Sequence, residues 1–212
     1  MAKIKEPFFI ALEGIDKCGK NHQRTSVELW LERRGVKVSV FDEPHDNTPI
    51  GARIRSILRG QILFPGNMEM QRLFTIDRAQ GWYCFIKPEL EFGRSCVIAR
   101  YAYSTLAYGM AFGIDFEVLR NMQYEVTGPD FRWPDLTFLI DIMPEEALER
   151  AKVSNSAQEY FEKRETLARA RDAYICLSSK EGIGTIHRIN GMKSMNSVSE
   201  AIIETLNREL DL

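Results

Sequence analysis

Gly14, Gly19 and Lys20 stand in the spacing G-x-x-x-x-G-K, directly after the apolar run "FFIAL" (8–12) and before a stretch of helical period from about Lys20 to Arg34 that stops at Gly35. In that setting of strand, loop and helix, the spacing builds a cradle for phosphate. Glycines let backbone N–H groups curl round an anion, the helix N-terminus adds partial positive charge, and the lysine neutralises phosphate oxygens. The plainer alternative is a glycine turn between a strand and a helix. Loops of this kind continue with a Ser or Thr whose hydroxyl ligates Mg²⁺, whereas here Asn21 and His22 follow. An amide oxygen can also ligate this hard cation, so Asn21 is the candidate metal ligand, with a longer and differently aimed side chain. Cys18, near a helix start that lowers thiol pKa, is either reactive or, as is commoner, a small filler.

The rest of the chain repeats the alternation. "VKVSVF" (36–41) is β-branched and alternating, and Ile50, Ile54, Ile57 and Leu58 recur at helical spacing up to Gly60. Helical pattern returns over 68–92, with Pro88 implying a break or bend. "SCVIA" (95–99), "LTFLID" (136–141) and "GTIHRIN" (184–190) read as strands. Helical stretches lie near 104–112 and 115–126, from Pro144, up to about Ser178, and from about 196 to 210. Strands that are near-continuous apolar runs, alternating with helices, imply a parallel sheet covered on both faces. With no linker or repeat, 212 residues form one domain, 1–212, with a polar lid at approximately 152–160.

Twenty-eight Lys plus Arg against thirty Asp plus Glu give a net charge of −2, so phosphate binding rests on local placement and a nucleic acid polymer is not expected as partner. No segment reaches the roughly 18 apolar residues of a membrane span. The cysteines Cys18, Cys84, Cys96 and Cys176 lack zinc or disulfide spacing, which fits a reducing cytoplasm. His22, His45 and His187 lie in separate elements without the spacing of a zinc site.

Several separated motifs then carry a resemblance to the thymidylate kinase family of P-loop nucleoside monophosphate kinases. "FIALEGIDKCGKNHQ" is similar to its first strand and loop, "EPHDNTPIGARIRSIL" (43–58) to its E-P…I-G…I-R segment, and "LFTIDRAQ" (73–80) to its base-stacking helix. "ARYAYSTLAYG" (99–109) is similar to D-R-Y…S-x-x-A-Y-Q, and "PDLTFLIDIMPEEALERA" with "EYFEKRETLARARDAY" to the fourth strand, lid and following helix.

The resemblance implies a five-stranded parallel sheet, a homodimer packed through helices, and transfer of the ATP γ-phosphoryl group, with Mg²⁺, to dTMP. It places Gly14, Asp16, Lys17, Cys18, Gly19, Lys20, Asn21 and His22 around ATP, with Asp16 and Lys17 beside the transferring phosphate. Lys17, Lys20 and Arg100 become the catalytic cations, and Lys17 matches a loop position that is basic in members whose lids lack basic residues. Phe74 matches the ring that stacks on thymine, Arg78 the arginine that grips the monophosphate, and Arg100 the arginine near both phosphates. Tyr101, Ser104 and Tyr108 match positions lining the monophosphate site. Plain packing for Phe74, Tyr101, Ser104 and Tyr108, and surface ion pairing for the arginines, are the alternatives.

Three residues depart from the pattern: Asn21 for the metal-binding hydroxyl, Ala99 for the aspartate of D-R-Y, and Gly109 for a glutamine that helps recognise the base. Two other readings stay open on that account. One is an impaired paralogue that binds nucleotide as a sensor or partner protein; the other is a kinase for another nucleoside monophosphate. Glu13 either helps hold a metal-bound water or accepts structural hydrogen bonds, and Asp141 reads as a turn or cap residue.

Overall fold

A computed structural model describes residues 4–153, 161 and 163–212. Five strands, β1 (Phe9–Glu13), β2 (Val38–Asp42), β3 (Ser95–Ala99), β4 (Leu136–Asp141) and β5 (Ile186–Asn190), form one parallel sheet in the order β2-β3-β1-β4-β5. Central β1 pairs with β3 through Leu12↔Ala99 and with β4 through Glu13↔Leu139, so the carboxyl ends of the three inner strands lie together. Such ends gather ligands in open α/β sheets.

Alternation along β1 explains why both faces are covered. Phe8, Ile10 and Leu12 enter one apolar cluster with Val27, Leu31 and Ile54, while Phe9 and Ala11 enter a second with Trp82, Ile86 and Tyr101. Every residue of β1 is buried, as a strand between two helical layers requires.

Helices α1 (Lys20–Glu32), α2 (Pro49–Leu58), α3 (Asn67–Gly81), α4 (Lys87–Glu91), α5 (Ala102–Ala111), α6 (Phe116–Thr127), α7 (Pro144–Val153), α8 (Arg164–Leu177) and α9 (Met195–Glu209) supply those layers. The break expected at Pro88 is instead a widening. Residues Trp82–Ile86 are π-helical and run from α3 straight into α4, with Pro88 in the first turn of the latter. A π turn shifts the carbonyl that the proline ring would strike and removes the need for its missing N–H. Strands β2 and β5 each begin two residues later than the apolar runs suggest. Of the expected lid, Lys152 and Val153 end α7, and 154–160 lie outside the described residues.

Candidate active site

The loop after β1 is shaped by contacts only glycine permits. Gly14 has φ 136°, and a Cβ there would lie 2.5 Å from the Ile140 carbonyl oxygen, so the loop passes directly over the end of β4. Gly19, at φ 98°, opens α1 with no side-chain cap, leaving the N–H groups of the first turn facing outward. Lys20 folds back under the loop, and its ammonium donates to the Gly14 and Ile15 carbonyls, each at 2.8 Å. Burial and the positive charge of Arg100 lower its pKa, opposed by the negative charges of Asp16 and Glu13.

Among the described residues, Lys17 and Arg100 alone outside glycine have positive φ, 61° and 65°. Both are basic, both line the same cavity, and such strain collects at functional sites. Arg100 donates to Asp16 Oδ1, and the Tyr108 hydroxyl donates to Asp16 Oδ2 at 3.0 Å. Burial alone would raise the Asp16 pKa; the positive charges of Arg100 and Lys20 hold it below the usual range.

A cavity of about 640 Å³ joins this loop to the front of α3 and α5. Asp16, Lys17, Gly19, Lys20, Asn21 and His22 line one end. Phe74, Arg78, Arg100, Ser104 and Tyr108 line the other, with Leu58 and Phe161 as apolar wall. Gly14, Cys18 and Tyr101 stand behind the lining. Cys18 is a buried filler whose sulfur lies 3.4 Å from the Lys20 ammonium. Tyr101 packs edge-on against Phe9, and its buried hydroxyl is pushed well up in pKa by desolvation.

Glu13 takes the structural role. Its carboxylate accepts from the Tyr101 backbone N–H at 2.7 Å, the Ser104 hydroxyl at 2.7 Å and the Tyr174 hydroxyl at 2.9 Å, tying β1 to α5 and α8. Burial nevertheless raises its pKa. Asp141 is held by Arg171 and Arg188, making it an ion-pair centre rather than a cap.

Beneath the cavity, two consecutive residues of α3 clamp the loop after β2. Asp77 accepts from the backbone N–H and faces the Nδ1 of His45, at 2.9 and 3.0 Å, and accepts from Thr48 at 2.7 Å. Arg78 donates to Glu43 at 2.6 Å, Gln123 at 2.7 Å and Thr105 at 3.1 Å, leaving its Nε without a partner. The guanidinium expected to face a phosphate thus already serves three protein groups. Burial pushes the Glu43 carboxyl up to about 7 despite Arg78 beside it. His45 is raised as well, because the hydrogen bond to Asp77 and the charge of Glu43 outweigh the effect of burial.

Sequence reasoning passed over Gln71, His45 as a buried partner, and Arg150, which donates to the Lys17 carbonyl at 3.3 Å and the Gly191 carbonyl at 3.1 Å. Nothing in local pattern marks them. Their burial and partners are set by distant elements.

The family model described as thymidylate kinase matches residues 12–202. The chain belongs to the thymidylate kinase family. It is 32% identical over 209 residues to a thymidylate kinase of Leptospira borgpetersenii serovar Hardjo-bovis, covering 99% of this chain and 98% of that protein. Probable thymidylate kinases of Thermococcus kodakarensis and Pyrococcus abyssi are each 33% identical, over 208 and 207 residues. Those alignments cover 93% and 96% of this chain, and 98% and 97% of those proteins.

Thymidylate kinases use ATP and Mg²⁺, and the loop here suits the phosphates: a cradle without room for a Cβ at Gly14, outward N–H groups and a lysine at its floor. Charge for a metal is scarcer. Asp16, Asp42, Glu43 and Asp46, which line the cavity, are each paired with an arginine, and Ala99 is fully buried without a carboxylate. Asn21, exposed on the lining, is the neutral oxygen donor within the loop.

Proposed function

We propose that the chain is a single-domain cytoplasmic dTMP kinase that transfers the γ-phosphoryl group of ATP to dTMP, giving dTDP and ADP. The observation that carries this reading is the continuity of one cavity from the phosphate loop to Phe74 and Arg100. ATP phosphates occupy the loop end and the monophosphate the other, so an acceptor phosphate oxygen reaches the γ-phosphorus in line and ADP leaves, with no covalent enzyme intermediate.

Lys20 exchanges its loop carbonyls for β and γ oxygens, and Lys17 and Arg100 neutralise charge on the transferring group. Asp16 and Tyr108 aim Arg100. Phe74 offers an aromatic face to the base, and Arg78 offers its remaining Nε from below. Asp16, Ser104, Tyr101 and Tyr108 shape the acceptor end. Asn21 would hold Mg²⁺ through its amide oxygen, and the metal would supply neutralising charge to the ATP phosphates. A homodimer through α3 fits the exposure of Met68, Ile76 and Tyr83 along one side of α3 and its π-helical extension. Light scattering on the purified chain reads it directly.

The deciding test is ADP release with ATP, Mg²⁺ and dTMP. Turnover on the order of 1–100 s⁻¹ is expected, abolished in Lys20→Ala, with Asn21→Thr lowering the Mg²⁺ concentration needed for half-maximal rate. Saturable nucleotide binding without turnover would overturn the reading.

A further inference from the structure

Gln71 is fully buried, lines the cavity, and has neither Oε1 nor Nε2 in a hydrogen bond. A carboxamide with both ends unpaired is expensive to bury, and such groups in native proteins call for a partner. Gln71 also lies three residues before Phe74 and seven before Arg78, so all three share one face of α3 and Phe74 sits between the other two. Phe74 supplies a ring face; Gln71 and Arg78 flank it with polar groups.

The second observation is at Gly109. A Cβ there would lie 2.5 and 2.6 Å from the two δ carbons of Leu119, so α6 fills the space in which the family pattern sets a glutamine. Glycine offers no side-chain amide to the site from that position.

We propose that Gln71 determines acceptor specificity, its carboxamide pairing with the imide edge of a pyrimidine nucleoside monophosphate. Oε1 accepts from N3–H and Nε2 donates to the adjacent base carbonyl. Rotated by half a turn, the same carboxamide would suit the N3 and amino group of cytosine. Arg78 breaks that symmetry, since its unpaired Nε can only donate and is matched by a carbonyl, not by an amino group. The site therefore favours thymine and uracil over cytosine. This inference rests on the acceptor reading given under Proposed function.

The test compares dTMP with N3-methyl-dTMP, in which a methyl group replaces the N3 hydrogen and both base carbonyls are kept. Both are assayed by ADP release on the full chain and on Gln71→Leu. The wild type is expected to lose about 10-fold or more in kcat/KM on the N3-methyl analogue, because a site built to hydrogen-bond a group discriminates against its absence. Gln71→Leu is expected to raise the KM for dTMP about 10-fold, to distinguish the two acceptors by less than about threefold, and to leave the KM for ATP unchanged. An undiminished penalty for the analogue in Gln71→Leu, with dTMP turned over by the wild type, overturns the role of Gln71 alone. No turnover of any pyrimidine monophosphate by the wild type overturns the acceptor reading and this assignment with it. Should Gln71→Leu fail to fold, Gln71→Glu, which keeps an acceptor for N3–H and loses the donor, is expected to retain the penalty for the N3-methyl analogue while losing preference over dCMP; absence of that split overturns the pairing.

Discussion

Asp16 and Arg100, separated by 84 positions in the chain, face each other across the ends of β1 and β3, with the carboxylate accepting from the guanidinium on one oxygen and from Tyr108 on the other. The pair fixes a cation whose own backbone is held at φ 65°. A strained residue with an anchored side chain is positioned before any nucleotide arrives, which suits catalysis by placement and electrostatics.

Asp16→Asn keeps the shape and removes the charge that anchors Arg100. The expected result is a fall in kcat of roughly 10²-fold, with a smaller change in the KM for ATP, read by steady-state ADP release. An unchanged kcat would show that Arg100 is aimed by its backbone alone.

Stability should fall as pH rises from about 5 toward neutrality. Glu13, Glu43 and His45 all have raised pKa values, so the folded state binds more protons than the unfolded one and stability declines with pH. For the two glutamates the decline begins at the ordinary 4.5 and ends at the folded value, about 7 for Glu43; for His45 it begins at 6.5. His187, lowered by burial, acts in the opposite sense below its ordinary 6.5 and offsets part of the decline, and Asp16 and Asp77 lose their contribution as pH drops below 3.8. Glu43→Gln should therefore flatten the slope between pH 5 and 8, removing on the order of 3 kcal/mol of pH dependence. Denaturant unfolding of both proteins across that range is the measurement.

Gly81 makes room for the His45 ring. A Cβ at 81 would lie 2.0 Å from Cε1 and 2.3 Å from Nε2 of the imidazole. Gly81→Ala is expected to destabilise the protein by about 1–3 kcal/mol through overpacking, and to displace the His45 ring from Asp77. In the His45→Gly background the same change should cost little, giving a coupling energy of at least about 1 kcal/mol in a double-mutant cycle. Equal costs in both backgrounds would place the strain elsewhere.

The five strands, the phosphate loop and most helix limits were legible in the amino-acid sequence because they follow from local physics: apolar runs of strand length, periodicity of the helices, and glycines where φ must be positive. The family was legible for a related reason, since its motifs are short and lie at the strand ends that carry the site. What the sequence determined by itself was therefore the sheet, its loop and the placing of Lys20 at the start of α1. Tertiary structure decided the partners. Glu13 could have faced a metal or the protein interior, and α5 and α8 surround it with three donors. Arg78 could have been a surface cation, and its near-complete burial depends on Glu43, Thr105 and Gln123, lying 35, 27 and 45 positions away. Gln71 carries no local signal, because an amide on a helix becomes a recognition group only when other elements bury it and leave it unpaired. Hydrogen-bond satisfaction is a property of the packed molecule, and no window along the chain contains it.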